Sequence, residues 1–580
     1  MKKTIMKKFL IFLTLLSTLS MPLTMADEGS IGDPGKAWEI PNDASRGQHI
    51  FTILDDSFGE TSSYLYKGSF QAGVDTTDPS CATAEDPKCS SVSYRFRAVL
   101  PQCASDSEVN CIDNFGILTS DNLKSPAQFE NYFPLQSQNQ FTGNPAKNIP
   151  SGGSGSVYKL PAAPFTGGDE YYLAVTLTGG GEPQNSSASI SGFSAYLFPV
   201  SRLNSNNIVK TNYNAGIAPI TQPGAGHTVG TYVFEGPGLT SGTSCIVTSN
   251  RDQSCLERYA FPANKRFYVD IRLKSVPAGW LHGRMSTPEI SITPKNGYSL
   301  LSVSAAPVAV PVVYKMYEWA QMPEKLKANY DVVTGGYIPD RPVYVPGSGC
   351  GRSACDPDPA KRNVILAPNP YTKSAAEQLM LWLPYVNDTA QAMYGDWSVR
   401  TLDSNEAQGA NRCFISGNAV TGIVTTNSST YSAGPPSFNQ ATGTLDYQVA
   451  APHYTSKGEV LKGNYDLVIR SDVARCVYGF SNAPISATVS VIGSDGNTSV
   501  ASTVVNERNG WIHLAANGFT FSSPTVSVKL TQEKPVTPQP VSTPQPATST
   551  KPVVKSTTIA CTKGKTVKKV TGANPKCPSG

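Results

Sequence analysis

Apolar and polar residues alternate along much of this chain with the two-residue period of half-buried strands. Over residues 92–98, Val92, Tyr94, Phe96 and Ala98 alternate with Ser93, Arg95 and Arg97. Residues 171–177 and 194–200 read as further strands. The clearest is 267–274, with Phe267, Val269, Ile271 and Leu273 on one face and Tyr268, Asp270, Arg272 and Lys274 on the other. Toward the C-terminus Tyr465, Leu467 and Ile469 alternate, then Ile485, Ala487, Val489 and Val491. Turns are expected at Asp495-Gly496 and at Asn509-Gly510, just before Trp511. Both dipeptides suit two-residue hairpin turns, whose central positions take positive φ. This stretch therefore predicts an antiparallel meander, one sheet of a sandwich. Trp511 follows both Cys413 and Cys476, whereas an immunoglobulin domain sets its core Trp between its cysteines. The domain is sandwich-like without being immunoglobulin.

One stretch carries helical signals. Ser374-Ala375-Ala376-Glu377 matches a capping box ahead of residues 379–383, and Pro384 would break such a helix. The same residues also suit a buried strand, which is the preferred reading among so many strands. The fold class expected is all-β, with several β-sandwich-like domains in tandem, a Pro-rich linker and a small disulfide-stapled tail. Its divisions are a signal peptide at 1–26, an N-terminal β domain at 27–204 and a second β domain at 205–314. An irregular or β connecting region at 315–405 and a C-terminal sandwich-like domain at 406–533 follow. Within the first domain, residues 121–156 are rich in Asn, Gln, Ser and Gly and read as a long irregular connection. Residues 534–556 carry Pro535, Pro538, Pro540, Pro544, Pro546 and Pro552 among Thr, Ser and Gln, the composition of a semi-rigid spacer.

Composition agrees with this reading, since 49 Gly, 45 Pro and only 16% charged residues favour short strands and turns. The first 26 residues set Lys2, Lys3, Lys7 and Lys8 before the apolar run 9–19 and the small-residue site Thr24-Met25-Ala26, the layout of an export signal. That run falls short of the roughly 20 residues a membrane span needs, so no transmembrane span is expected in the mature chain. In an exported chain the 12 cysteines invite disulfides. Local pairs are Cys81 with Cys89, Cys103 with Cys111, Cys245 with Cys255, Cys350 with Cys355 and Cys561 with Cys577, leaving Cys413 with Cys476. The exchange of Cys81 with Cys111 and Cys89 with Cys103 stays open. Zinc is the rival, but there is no C-x-x-C and the histidines are scattered. The Cys350 and Cys355 loop reads as a passive staple.

Charge divides the chain. Without the four leader lysines it holds 43 basic and 43 acidic residues, and seven of those lysines fall after residue 550, where there is no Asp or Glu. An acidic body therefore carries a basic tip. Lys563, Lys565, Lys568, Lys569 and Lys576 stand between or beside Cys561 and Cys577 in this tip. A solvated tail is the bland reading. The sharper one is attraction to cell-wall phosphate or an acidic polysaccharide, weakened by salt. No nucleic-acid partner is expected from the sequence.

The pattern Cys561-x-Lys563-Gly564-Lys565, with Lys568-Lys569-Val570 and Pro575-Lys576-Cys577-Pro578-x-Gly580, resembles the C-terminal module of uncharacterised secreted multidomain proteins of small free-living actinobacteria. The likeness covers residues 557–580, and modules of that group run on past the last Gly into a Tyr and lysines, whereas this chain stops at Gly580. Residues 465–530, with Arg470-Ser471-Asp472-Val473-Ala474-Arg475-Cys476 and 519–524 as landmarks, are similar to the same group. The resemblance implies location and architecture and no activity.

Catalytic groupings are sparse. There is no G-x-S-x-G, H-E-x-x-H, phosphate-binding loop or dinucleotide fingerprint. His49, His227, His282, His453 and His513 stand apart in sequence. Asp55-Asp56 and Asp356-Pro357-Asp358 could hold calcium through oxygen, yet lack the spacing of an EF-hand loop and read ordinarily as acidic turns. If residues 280–284 form a strand, Trp280, His282 and Arg284 share a face, an aromatic ring beside two polar groups that would suit a glycan platform. A covered sheet face is the plain alternative. The expected function is an exported cell-surface β protein with a structural, adhesive or ligand-binding role. The alternative is an extracellular carbohydrate-active enzyme or an unanchored polysaccharide-binding protein.

Overall fold

The protein is described from a computed structural model. It covers residues 30–32, 48–53, 62–68, 80–135, 140–182, 187–203, 208–209, 233–234, 245–249, 254–328, 358, 360, 364–366, 368–402, 406, 410–415, 419–481, 485–492, 498–499, 502–521, 525–532 and 556–578. The expected leader and the Asp495-Gly496 turn lie outside them. The chain divides into two compact units, Met1–Glu533 and Lys534–Gly580.

The first unit is built almost wholly of strands, and its core arrangement is three layers of sheet. The middle layer runs from Ser189–Leu203 through Ala392–Thr401, Gly279–Arg284, Val420–Thr426 and Lys462–Arg470 to Trp511–Thr520 and Ser502–Arg508. Every pairing in that series is antiparallel except Gly279–Arg284 with Val420–Thr426, which is parallel. One face packs on the sheet Ser286–Pro294, Ser299–Ala306, Arg266–Leu273, Cys111–Leu118 and Lys124–Pro126. Leu197, Leu281, Val399, Ile423 and Val468 meet Phe115, Phe267, Ile271 and Val303 there. The Trp397 indole crosses this gap to donate to the Ala305 carbonyl at 3.1 Å. The other face packs on a sheet formed by Thr430–Tyr431, Thr444–Ala450, Thr525–Gln532, Ile485–Ile492 and Thr498–Ser499. Here Trp280, Val424, Leu467, Ile469 and Leu514 meet Tyr447, Val489, Val526 and Val528.

Two covered faces explain a feature that a period of two does not predict. Val420–Thr426 is buried at every residue, and Ala392–Thr401 at all but Arg400. Strands with both faces covered lose the solvent side that gives alternation its meaning.

Several expectations are corrected. The boundaries at 204, 314 and 405 do not separate independent sheets. Cys111–Leu118 pairs with Arg266–Leu273, Ser189–Leu203 with Ala392–Thr401, and Gly279–Arg284 with Val420–Thr426. Residues 121–156 are not one irregular connection, since they contain Lys124–Pro126, Gln128–Phe133 and the start of Gly155–Lys159. Residues 373–382 form a helix, Lys373–Trp382, rather than a strand. Thr372, not Ser374, caps it, its hydroxyl accepting from the Ala375 N–H at 3.1 Å. Ala375, Ala376, Leu379 and Trp382 form the buried stripe, and Trp382 stacks on Phe51 at 4.6 Å between centroids. The C-terminal meander is also divided. Lys462–Arg470 belongs to the middle layer and Ile485–Ile492 to an outer one, with the helix Ser471–Tyr478 carrying the chain across. The Asn509-Gly510 turn forms as expected, with φ of 52° and 79°.

Cys81–Cys89, Cys103–Cys111 and Cys413–Cys476 are bonded, which settles the open exchange in favour of the local pairs. Cys255 is disulfide-bonded. The Cys245 side chain, Cys350 and Cys355 lie outside the described residues.

Candidate functional site

In the second unit, Thr557–Lys563 and Thr566–Gly572 pair antiparallel around a two-residue turn, Gly564-Lys565. Threonine, isoleucine and valine supply the strand tendency, and Cys561–Cys577 closes the hairpin. Opposed residues on paired strands share a face. The register sets Cys561 against Lys568, Lys563 against Thr566, and Ala560 against Lys569. Lys563 and Lys568 therefore lie on the disulfide face and Lys569 on the reverse, with Lys565 at the tip and Lys576 beside the bridge. All five are exposed. Cation thus surrounds the hairpin instead of forming one flat patch. With both faces short of apolar cover, the disulfide is its main constraint.

Trp280, His282 and Arg284 do share a face, as alternation along Gly279–Arg284 requires, but it is no open platform. They are 2%, 1% and 0% exposed. The reason is the third layer. Trp280 meets Phe414 edge-on at 5.2 Å and fills the space above Gly422, where an added Cβ would lie 2.3 Å from its ring.

His282 and Arg284 instead belong to a buried polar nest. The Nδ1 of His282 lies 2.8 Å from the Tyr431 hydroxyl, and its Nε2 faces Glu406 at 3.9 Å. The facing carboxylate favours the proton on Nε2, leaving Nδ1 to accept from Tyr431. Burial, then the neighbouring Arg400 and Arg284 cations, hold the imidazole well below its usual range, so it is neutral. Glu406 is engaged by Arg400, whose two Nη atoms donate to its oxygens at 2.9 and 2.6 Å. Burial opposes the Arg400 charge, but the Glu406 hydrogen bonds outweigh it and raise the guanidinium above its usual range. Arg284 donates to the Ser428 carbonyl and, at 3.0 Å, to that of Ser429, and lies 4.5 Å from the Tyr431 ring centre.

Sequence reasoning found His282 and Arg284 but not Arg400, Glu406, Tyr431 or Tyr371, whose ring meets that of His282 edge-on at 4.9 Å. Register explains why: Arg400 sits opposite His282 from a strand more than a hundred residues away. Arg400 shares with Asp396 the distinction of being charged in the otherwise uncharged strand Ala392–Thr401, the one local signal available.

Of the other histidines, His453 contacts the Phe521 carbonyl through Nδ1 at 2.9 Å, and burial lowers His513. Among the described residues no group of three His, Cys, Asp or Glu could hold a metal. Asp55, Asp56 and Asp356 lie outside them, and Asp358 accepts from the Ala360 N–H at 3.0 Å, an ordinary turn contact. No described helix is long and apolar enough to cross a membrane. The chain matches no family model, no curated protein and no solved structure.

Proposed function

We propose that this is an exported cell-surface protein whose all-β body has a structural, adhesive or ligand-binding role and whose C-terminal hairpin is drawn to an anionic polymer, cell-wall phosphate or acidic polysaccharide. The observation that carries this reading is the ring of five exposed lysines on a disulfide-closed hairpin with no acidic residue. Lysine is a compact, hydrated point charge without arginine's planar fork. It suits repeated, loose contacts along a polymer better than one fixed pose. The disulfides and the lack of a described spanning helix are compatible with an extracellular setting.

Such binding is screened by salt, because the Debye length falls from about 30 Å at 0.01 M to about 8 Å at 0.15 M ionic strength. The test compares the full chain with one stopped after Thr550 on washed cell walls. The full chain should be retained at low salt and released as salt rises, and the shortened chain should stay in the medium. Equal retention of both would remove the hairpin from any anchoring role.

A further inference from the structure

Independently of the anchoring proposal, we propose that Tyr431 is a buried redox tyrosine, a sink for one oxidising equivalent delivered by an outer-sphere one-electron oxidant. The geometry supplies what such a site needs, a phenol hydrogen-bonded to a neutral base away from water. Oxidising a buried tyrosine without removing its proton would leave a phenol radical cation beside the Arg284 guanidinium, 4.5 Å from the ring centre. That arrangement is costly in a low-dielectric interior. Here the proton has a place to go. The Tyr431 hydroxyl lies 2.8 Å from His282 Nδ1, so one electron leaves to the oxidant, the O–H bond breaks and a new N–H bond forms on Nδ1. The products are a neutral tyrosyl radical, an imidazolium and an oxidant reduced by one electron. The imidazolium keeps its Nε2–H toward Glu406 at 3.9 Å, which offsets part of the charge that burial, Arg400 and Arg284 oppose. On reduction the proton returns along the same bond.

The surrounding rings make Tyr431 the end of a path. Tyr447 lies 6.3 Å from it between centroids, and Tyr465 lies 5.0 Å from Tyr447. The hydroxyls of Tyr447 and Tyr465 are buried without a hydrogen-bond partner. Neither has a base to take its proton, so of these three described rings Tyr431 is the one in which an oxidising equivalent can settle. His282 acts here as a positioning residue and proton acceptor.

The test uses the intact full chain and photogenerated ruthenium(III) polypyridyl as oxidant, read by electron paramagnetic resonance. The unaltered protein should give a persistent tyrosyl signal that forms more slowly in D2O and is insensitive to a water-soluble reductant. Y431F should lose that signal, and Y447F should retain a signal at Tyr431. If Y431F does not fold, 15N-histidine labelling of the unaltered chain gives a second measure, since the radical should show hyperfine coupling to one histidine nitrogen. A persistent signal unchanged in Y431F, no histidine coupling, or only short-lived radicals open to solvent reductants would each overturn the assignment.

Discussion

At the scale of single residues, burial decides what each polar or small group can do. Gly422 lies against the Trp280 ring, so Gly422→Ala forces a Cβ to within 2.3 Å of it. Overpacking of this kind costs about 1–3 kcal/mol, and denaturant unfolding should show a lower midpoint with an unchanged slope. Asp466 gives a prediction of opposite character. Its carboxylate accepts from the Thr287 N–H at 3.0 Å and from Asn464 at 3.3 Å, yet burial dominates and lifts its pKa from 3.8 to about 6. Because the folded value lies above the unfolded one, the folded state holds a proton that the unfolded chain has lost between about pH 4 and 6. Stability should therefore fall as pH rises through that window and level off above it, the ionised group costing about 3 kcal/mol at neutral pH. Asp466→Asn should flatten this dependence in thermal melts taken from pH 4 to 7. An unchanged slope would assign the effect to another group.

At the scale of elements, what was legible in the sequence depended on whether polar side chains marked one face of a strand. Residues 267–274 read correctly because Phe267, Val269, Ile271 and Leu273 make one apolar face and polar side chains mark the other, even though Tyr268 and Asp270 on that second face are buried as well. Residues 280–284 place Trp280, His282 and Arg284 on one face as expected, and a third layer covers that face, so the plain reading of a covered sheet holds in place of a glycan platform. Local composition also cannot tell an all-buried strand from a short buried helix, and residues 373–382 fell on the wrong side of that ambiguity. The Tyr431 and Glu406 partners of His282 were out of reach, because Tyr431 meets it from the facing sheet and Glu406 from a turn, contacts between distant segments that leave no local trace. The C-terminal hairpin was readable because its charge and cysteines act over a few residues. It also yields a prediction. A two-stranded hairpin alone is marginal in water, and closing a loop of this length is worth about 3 kcal/mol in the loop-entropy model. The paired change Cys561→Ser and Cys577→Ser should abolish amide protection in 557–572 in hydrogen exchange. Protection in Ala392–Thr401 should be untouched, and loss there as well would mean that the two units fold together.

At the scale of the whole molecule, the parallel pairing of Gly279–Arg284 with Val420–Thr426 sets the order in which the body can become itself. The Ser189–Leu203 strand finds its middle-layer neighbour only in Ala392–Thr401, about two hundred residues later. Closing loops of such length adds entropy cost before any contact rewards it, and non-local pairing slows folding. On a growing chain the early strands wait with open edges until the segment that completes the middle layer has been made. A fragment ended at residue 314 would leave Ser189–Leu203 without Ala392–Thr401, and one ended at 405 would leave Gly279–Arg284 without Val420–Thr426, open edges ready to join the wrong neighbour. Assembly is thus a late, all-together event, and the chain's most vulnerable interval lies between the synthesis of its first hairpin and the arrival of its last strands.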